Sequence, residues 1–335
     1  MPEIKSEVDR IRPKDLHDKA VALRKACGER FFGDYHERFV DTRCPACGKD
    51  GETVFFKYGF THKKCAACAT LYCSPRPTEE MLIEYYSTSK ATCFWTDLLV
   101  STGCERKVLQ YGPRAEQLVE ILKQDTDFNP ARAVDLGAGS GAFALALSRT
   151  GFFDKVMAVD FSDKCCDACE KIGLETRHGS VDVLSDVQVN FISMNDMVEH
   201  LFDPMQFLSQ CYDVLDPNGY ISIACPNGEG FDFQVMQEKT VNITPPEHLN
   251  YFNSDSLALL LESVGFEMVS ICTPGILDVQ IVARAFRDGL IDLKDNLWLR
   301  ERIIQDDAEF LAPFQKFLQQ NKWSSHMVAI AKKSQ

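Results

Sequence analysis

An apolar run that ends in three alternating glycines sets the strongest limit on what this chain can fold into. In "AVDLGAGSGAFALAL" a short apolar stretch closes at Leu136, Gly137, Gly139 and Gly141 follow, and a run of Ala, Leu and Phe begins at once. Glycine reaches backbone conformations closed to other residues and lets a ligand approach the main chain. The helix that opens there offers unpaired N–H groups and the positive end of its dipole. Strand, glycine turn and helix in that order belong to an α/β fold with a ligand at the carboxyl end of the strand.

The sequence beyond residue 130 agrees with that class. Strands are read at "RAVDL", "KVMAVD", "VNFISM", "GYISIA", "EMVSIC" and "HMVAIA", with amphipathic segments between them. In "SDSLALLLESVG" Leu257, Leu260, Leu261 and Val264 recur at helical spacing and Gly265 supplies the stop. Strands alternating with helices predict a mostly parallel sheet covered on both faces. Residues 282–322 interrupt the alternation with charged helical sequence and read as an insertion before the last strand.

The glycine turn fits two ligands. "GAGSGA" also matches the dinucleotide pattern G-x-G-x-x-A. Asp135, two residues before the first glycine, argues against a pyrophosphate, which its carboxylate would repel, and for a ligand carrying an ammonium and a sulfonium. Asp160 ends the next strand and suits the two hydroxyls of a ribose under either reading.

A second constraint lies in the first quarter of the chain. Cys44-x2-Cys47 and Cys65-x2-Cys68 are spaced as a four-cysteine zinc site, and Pro45 and Gly48 suit its tight turns. Four thiolates leave no open coordination position, so such zinc is structural. Cys73 reads as a spare thiol, Cys165, Cys166 and Cys169 as core packing on a helix, and His62, between the cysteine pairs, as a surface residue.

"VDLGAGSG", with Asp160 and "NFISMNDMVEHLFDP", resembles the class I S-adenosylmethionine (SAM)-dependent methyltransferases over roughly residues 110–335. The resemblance implies a Rossmann-like seven-stranded sheet, SAM as cofactor and a methyl-transfer activity. It places Asp135, Gly137 and Gly139 around the methionine part of SAM and Asp160 on the ribose. Ser180 and Val181 match the loop beside adenine, where the family often carries Asp, and Met194 and Asn195 the loop beneath the sulfur. The cysteine pairs leading into "CSPRPTEEMLIEYY" resemble the zinc-ribbon head of a methyltransferase subgroup that modifies sugars and polysaccharide precursors. By that likeness His248 in "PPEHLNYF" is the candidate general base, Glu247 its alternative or assistant and Tyr251 a substrate contact; Glu199 and His200 form a second pair, read as structural, with His200 on the helix after the fourth strand. The expected organisation is a helical arm (1–40), the zinc ribbon (41–77), a helical cap (78–128) and the SAM domain (129–335).

Charge narrows the acceptor. Lys and Arg number 36 against 49 Asp and Glu, a net charge of −13, and a field of that sign repels phosphate backbones. A small molecule or sugar nucleotide is the expected substrate and nucleic acid is disfavoured. A zinc-ribbon RNA methyltransferase and a non-catalytic SAM-binding scaffold are the alternatives, with a nicotinamide-dependent dehydrogenase third. No apolar run reaches membrane-spanning length and the charged N-terminus shows no secretory leader, so a cytoplasmic protein with its 14 cysteines reduced is expected.

Overall fold

The structure is a computed structural model that describes residues 14–101, 104–304 and 308–334. Its chain divides into two compact units, each discontinuous in sequence. One draws on Met1–Ala91, Pro226–Ser256 and Cys272–Val328, the other on Thr92–Cys225, Leu257–Ile271 and Ala329–Gln335. Compactness thus cuts the chain differently from the sequential order expected: the cysteine-rich segment shares its unit with the stretch after residue 225 and with the helical insertion.

The second unit is organised by a seven-stranded sheet of order β10-β11-β8-β7-β4-β5-β6. Its strands are β4 (Arg132–Leu136), β5 (Lys155–Asp160), β6 (Glu175–His178), β7 (Val189–Asn195), β8 (Leu215–Pro226), β10 (Phe266–Cys272) and β11 (His326–Lys333). The ladders β4–β5, β4–β7, β5–β6 and β7–β8 are parallel. Central strands of such a sheet face helices on both sides, which is why β7 is buried at every position but its last. Helices α4 (Cys104–Leu122), α5 (Ala142–Arg149), α6 (Asp163–Lys171), α7 (Pro204–Val214) and α9 (Ser254–Val264) alternate with these strands, which makes the arrangement Rossmann-like. Leu118 and Leu122 of α4, Phe143 and Leu147 of α5, and Phe191 of β7 share one buried core. Cys165, Cys166 and Cys169 are all buried along α6, as small core residues.

The first unit holds a four-stranded sheet, β1-β2-β3-β9. Its strands are β1 (Gly51–Lys57), β2 (Phe60–Cys65), β3 (Leu71–Cys73) and β9 (Asn250–Tyr251). Tyr58 and Gly59 both take positive φ in the two-residue turn joining β1 to β2, the form that matches strand twist. A Cβ on Gly59 would lie 2.4 Å from the Phe32 ring, so no side chain fits there. Helix α1 spans Lys14–Tyr35; the part of the expected N-terminal arm before it, Pro13 included, lies outside the described residues. Helix α2 (Glu79–Thr88) is capped by the Thr78 hydroxyl, which accepts from the Met81 N–H at 3.4 Å. The remaining α-helices among the described residues are α3 (Lys90–Ser101), α8 (Phe231–Met236), α10 (Asp278–Arg287), α11 (Leu297–Ile304) and α12 (Ala308–Gln320). Among the described residues no helix is long and apolar enough to cross a membrane.

Candidate active site and metal centre

The turn between β4 and α5 is bent at all three glycines, with φ of +69° at Gly137, +56° at Gly139 and +77° at Gly141. Two of the three are also crowded: a Cβ on Gly137 would meet Met197, and one on Gly141 would meet Leu174 and Cys169 within 3 Å. Gly139 differs, since its nearest neighbour would be Leu99 at 3.8 Å, which leaves its backbone approachable. The Asp160 carboxylate closes the turn from the next strand, accepting from the Gly139 N–H at 2.8 Å and the Ser162 N–H at 2.9 Å. The Cys165 thiol also bonds this carboxylate, and its remaining acceptor capacity suits a sugar hydroxyl. Burial, opposed by those bonds, raises the Asp160 carboxyl above the ordinary range.

Asp135 lies beneath the turn rather than open to it, only 2% exposed. Its Oδ1 accepts from the Ser193 hydroxyl at 2.7 Å and the Asn195 amide at 3.3 Å, and the N–H of Ala144, in the first turn of α5, also points at it. The carboxylate thus satisfies a donor that the helix leaves unpaired. Burial pushes its pKa up to about 7 against the pull of these bonds. Asn195 is bonded on its other side by Arg114 Nη1 at 3.1 Å. Arg114 was not singled out from the sequence; only its i-to-i+3 spacing from Tyr111, over whose ring it sits at 5.5 Å, hinted at a fixed position.

The other expected cofactor residues are placed unevenly. Met194 is fully buried within β7 and Val181 is buried at the start of a short 3-10 turn, whereas Ser180 is half-exposed, its N–H donating to Asp182 at 3.1 Å. Phe161, directly after Asp160 and missed in the sequence, is 68% exposed and offers a flat aromatic face. Glu199 and His200 stand on a short 3-10 turn, Val198–His200, not on the helix expected after the fourth strand; that helix, α7, begins at Pro204 under an Asp203 cap. Burial, with Asp196 nearby, pushes the Glu199 carboxyl well up.

In the first unit the cysteine pairs form two knuckles of one design. Gly48 N–H donates to Cys44 O and Ala69 N–H to Cys65 O, both at 2.9 Å. Cys44 N–H and Cys65 N–H then donate to Lys49 O and Thr70 O, again at 2.9 Å. Gly48 and Ala69 take the same left-handed conformation, φ +68° and +57°. The knuckles bring Cys47 Sγ within 3.4 Å of Cys65 and 3.5 Å of Cys68, and Cys44 Sγ within 3.5 Å of Cys68. A tetrahedral site with metal–sulfur bonds of ~2.3 Å asks for sulfurs about 3.8 Å apart, so the four could hold such an ion with little movement. Burial raises the Cys65 thiol, but the N–H groups of Cys68 and Ala67 and the neighbouring thiols outweigh it and bring it down to about 7. His62 is not on the surface: it is wholly buried, Nε2 3.3 Å from Cys73 Sγ and its ring stacked on Phe55, and burial lowers its pKa to about 3.

The loop that carries "PPEHLNYF" is also in the first unit. His248 Nδ1 lies 2.8 Å from the Asn242 carbonyl. Glu247 is buried and accepts from Arg24 Nε of α1 at 2.9 Å and from the Tyr85 hydroxyl of α2 at 3.5 Å. Tyr251 turns its hydroxyl back onto the His248 carbonyl at 3.0 Å.

Residues 109–271 match a family model described as a methyltransferase domain. That segment is similar to a methyltransferase domain, and the curated relatives it matches are named as methyltransferases. A probable SAM-dependent methyltransferase of Mycolicibacterium smegmatis is 35% identical over 101 residues, 28% of this chain and 36% of that protein. A ubiquinone biosynthesis O-methyltransferase of Dinoroseobacter shibae is 30% identical over 162 residues, 44% of this chain and 64% of the relative. The chain therefore spans less than two thirds of either relative. Among solved structures, a SAM-dependent methyltransferase from Thermotoga maritima aligns with 69% of this chain and 94% of its own, at 17% identity and a TM-score of 0.43. SAM is the cofactor that the domain implies, and the approachable Gly139 backbone with the Asp160 carboxylate beside it fits that group.

Proposed function

We propose that the protein is a SAM-dependent methyltransferase acting on a small molecule or glycan precursor, in its specific form a nucleotide-activated sugar. The observation that carries this reading is the glycine turn of three positive-φ residues braced by the Asp160 carboxylate. Asp160 would hold the ribose, Gly137 and Gly139 the methionine portion above the buried Asp135 charge, and Phe161, with Ser180 and Val181, the adenine. Met194 and Asn195 would floor the site, Met194 from within the sheet and Asn195 as the tie between Asp135 and Arg114.

When bound, SAM supplies a methyl group on a sulfonium. His248 Nε2 would accept the proton of the acceptor hydroxyl or carbon acid, and the spent donor would be S-adenosylhomocysteine (SAH). Glu247, buried and paired with Arg24, acts as the anchor of the loop and not as a base. The acidic net charge and a relative named for ubiquinone biosynthesis support a small-molecule acceptor over RNA. The chemistry of the four thiols supports zinc at Cys44, Cys47, Cys65 and Cys68 as a structural ion.

The test is calorimetric titration with SAH followed by incubation with methyl-labelled SAM and separate panels of nucleotide sugars, phenols and RNA. Label in a nucleotide sugar supports the specific reading. Label in RNA alone, or no SAH binding, overturns it.

A further inference from the structure

The cysteine module and the His248 loop are parts of one sheet. Strand β9 has only two residues, and it is held because Leu71 and Tyr72 of β3 pair with Tyr251 and Asn250. A strand that short has no stability of its own. The Cys73 N–H donates to the Leu249 carbonyl at 2.9 Å, next to His248. The Asn253 amide donates to the carbonyl of Cys68, one of the four thiol residues, at 2.9 Å. Lys57 Nζ, at the end of β1, donates to the Thr240 carbonyl at 2.6 Å. Leu71 of the module and Phe233, Ile243 and Tyr251 of the later segment form one buried cluster, with Phe55 against it.

Val54 and Phe56 of β1 are 48% and 64% exposed, so the outer strand adds little core, whereas Phe60 and Tyr72 are fully buried; in a segment this small a bound metal adds order that the few core side chains do not supply. We propose that the four-cysteine module is the template of the His248 loop: a metal ion held by Cys44, Cys47, Cys65 and Cys68 orders residues 240–253 and so fixes the path that aims His248 Nδ1 at Asn242. The ion takes no part in methyl transfer, and the cysteines are positioning residues. The functional meaning rests on the reading of His248 as the base; the coupling between metal and loop does not.

The experiment is backbone hydrogen exchange on the full chain, as purified and after metal removal by chelation under reducing conditions, with metal content measured in both. We expect amides of residues 240–253 to lose at least ~10-fold protection on metal removal, to regain it with added zinc, and strands β4–β7 to stay protected. Unchanged protection of 240–253 in the stripped protein overturns the proposal, as does a protein that holds no metal and still protects the loop. Should chelation unfold the whole chain, Asn253→Asp decides. It keeps an oxygen for the Ser256 N–H at the start of α9 but removes the donor to Cys68. We expect several-fold lower protection at residues 249–253 with metal content retained, and unchanged protection overturns the coupling. SAH titration of the untreated protein runs alongside: failure to bind SAH removes the methyltransferase reading and leaves the exchange result standing.

Discussion

The imidazole of His248 donates from Nδ1 to the backbone carbonyl of Asn242 across 2.8 Å. A carbonyl only accepts, so Nδ1 carries a proton, and in the neutral ring that leaves the lone pair on Nε2. The carbonyl is itself held, because the Asn242 side-chain amide donates to the buried Asp232 carboxylate at 3.3 Å. The loop thus selects the tautomer that a general base at Nε2 needs.

His248→Ala should lower turnover ~10²–10⁴-fold, the usual contribution of a positioned proton acceptor, with SAH affinity within twofold of the parent. Steady-state rates on an identified acceptor, with SAH titration beside them, check this. A variant that turns over within threefold of the parent removes His248 as the base.

Asp160, proposed above to hold the ribose, also accepts from the Gly139 N–H of the glycine turn. Charge-assisted bonds of this kind contribute about 1.5–3 kcal/mol each. Asp160→Ala should weaken SAH binding ~10–100-fold by calorimetry, and Asp160→Asn by less. Unaltered affinity in both would place the ribose elsewhere.

Asp135 makes a prediction about pH. Its native carboxyl titrates at about 7, raised by burial, against ~3.9 in an unfolded chain. Between those values the native state binds the extra proton, so stability is lost as pH rises through this window. Thermal unfolding of the parent should therefore shift down from pH 5 to pH 8. Asp135→Asn carries no charge and should flatten that slope while weakening SAH binding, since the negative charge under the turn is gone. An identical slope in both proteins counts against the burial of an ionising Asp135.

The glycine turn and its strands were legible because local signals and tertiary packing agree there. "RAVDL" and "KVMAVD" are β4 and β5 residue for residue. Strand β6, "ETRH", escaped because it is an edge strand with polar side chains and no apolar run. His62, expected at the surface from its place between the cysteine pairs, is buried. Phe60, two residues before it, is also buried, and strand alternation puts both on the inner face. The partners of Glu247 and Asp135 could not be read at all: Arg24 is 223 residues away and Ser193 is 58, and nothing local links them. Cysteine spacing, by contrast, was sufficient to bring out the two knuckles, because four ligands on two tight turns leave few arrangements.

Glu247 and Arg24 separate an anchoring role from a catalytic one. Their side chains are 5% and 16% exposed, and the Arg24 Nε–Glu247 Oε2 distance is 2.9 Å. Removing one member of such a pair strands the other, at a cost of about 3 kcal/mol, whereas replacing both with apolar residues of similar size costs little. Arg24→Ala should lower the unfolding midpoint by several degrees, and Arg24→Met with Glu247→Leu should recover most of that loss. Turnover adds the second readout. With Glu247 as an anchor, the double variant keeps the proton acceptor at His248 and turns over within about tenfold of the parent, its pH profile unshifted. With Glu247 as the base, the double variant is as stable as predicted but loses activity to the same extent as His248→Ala.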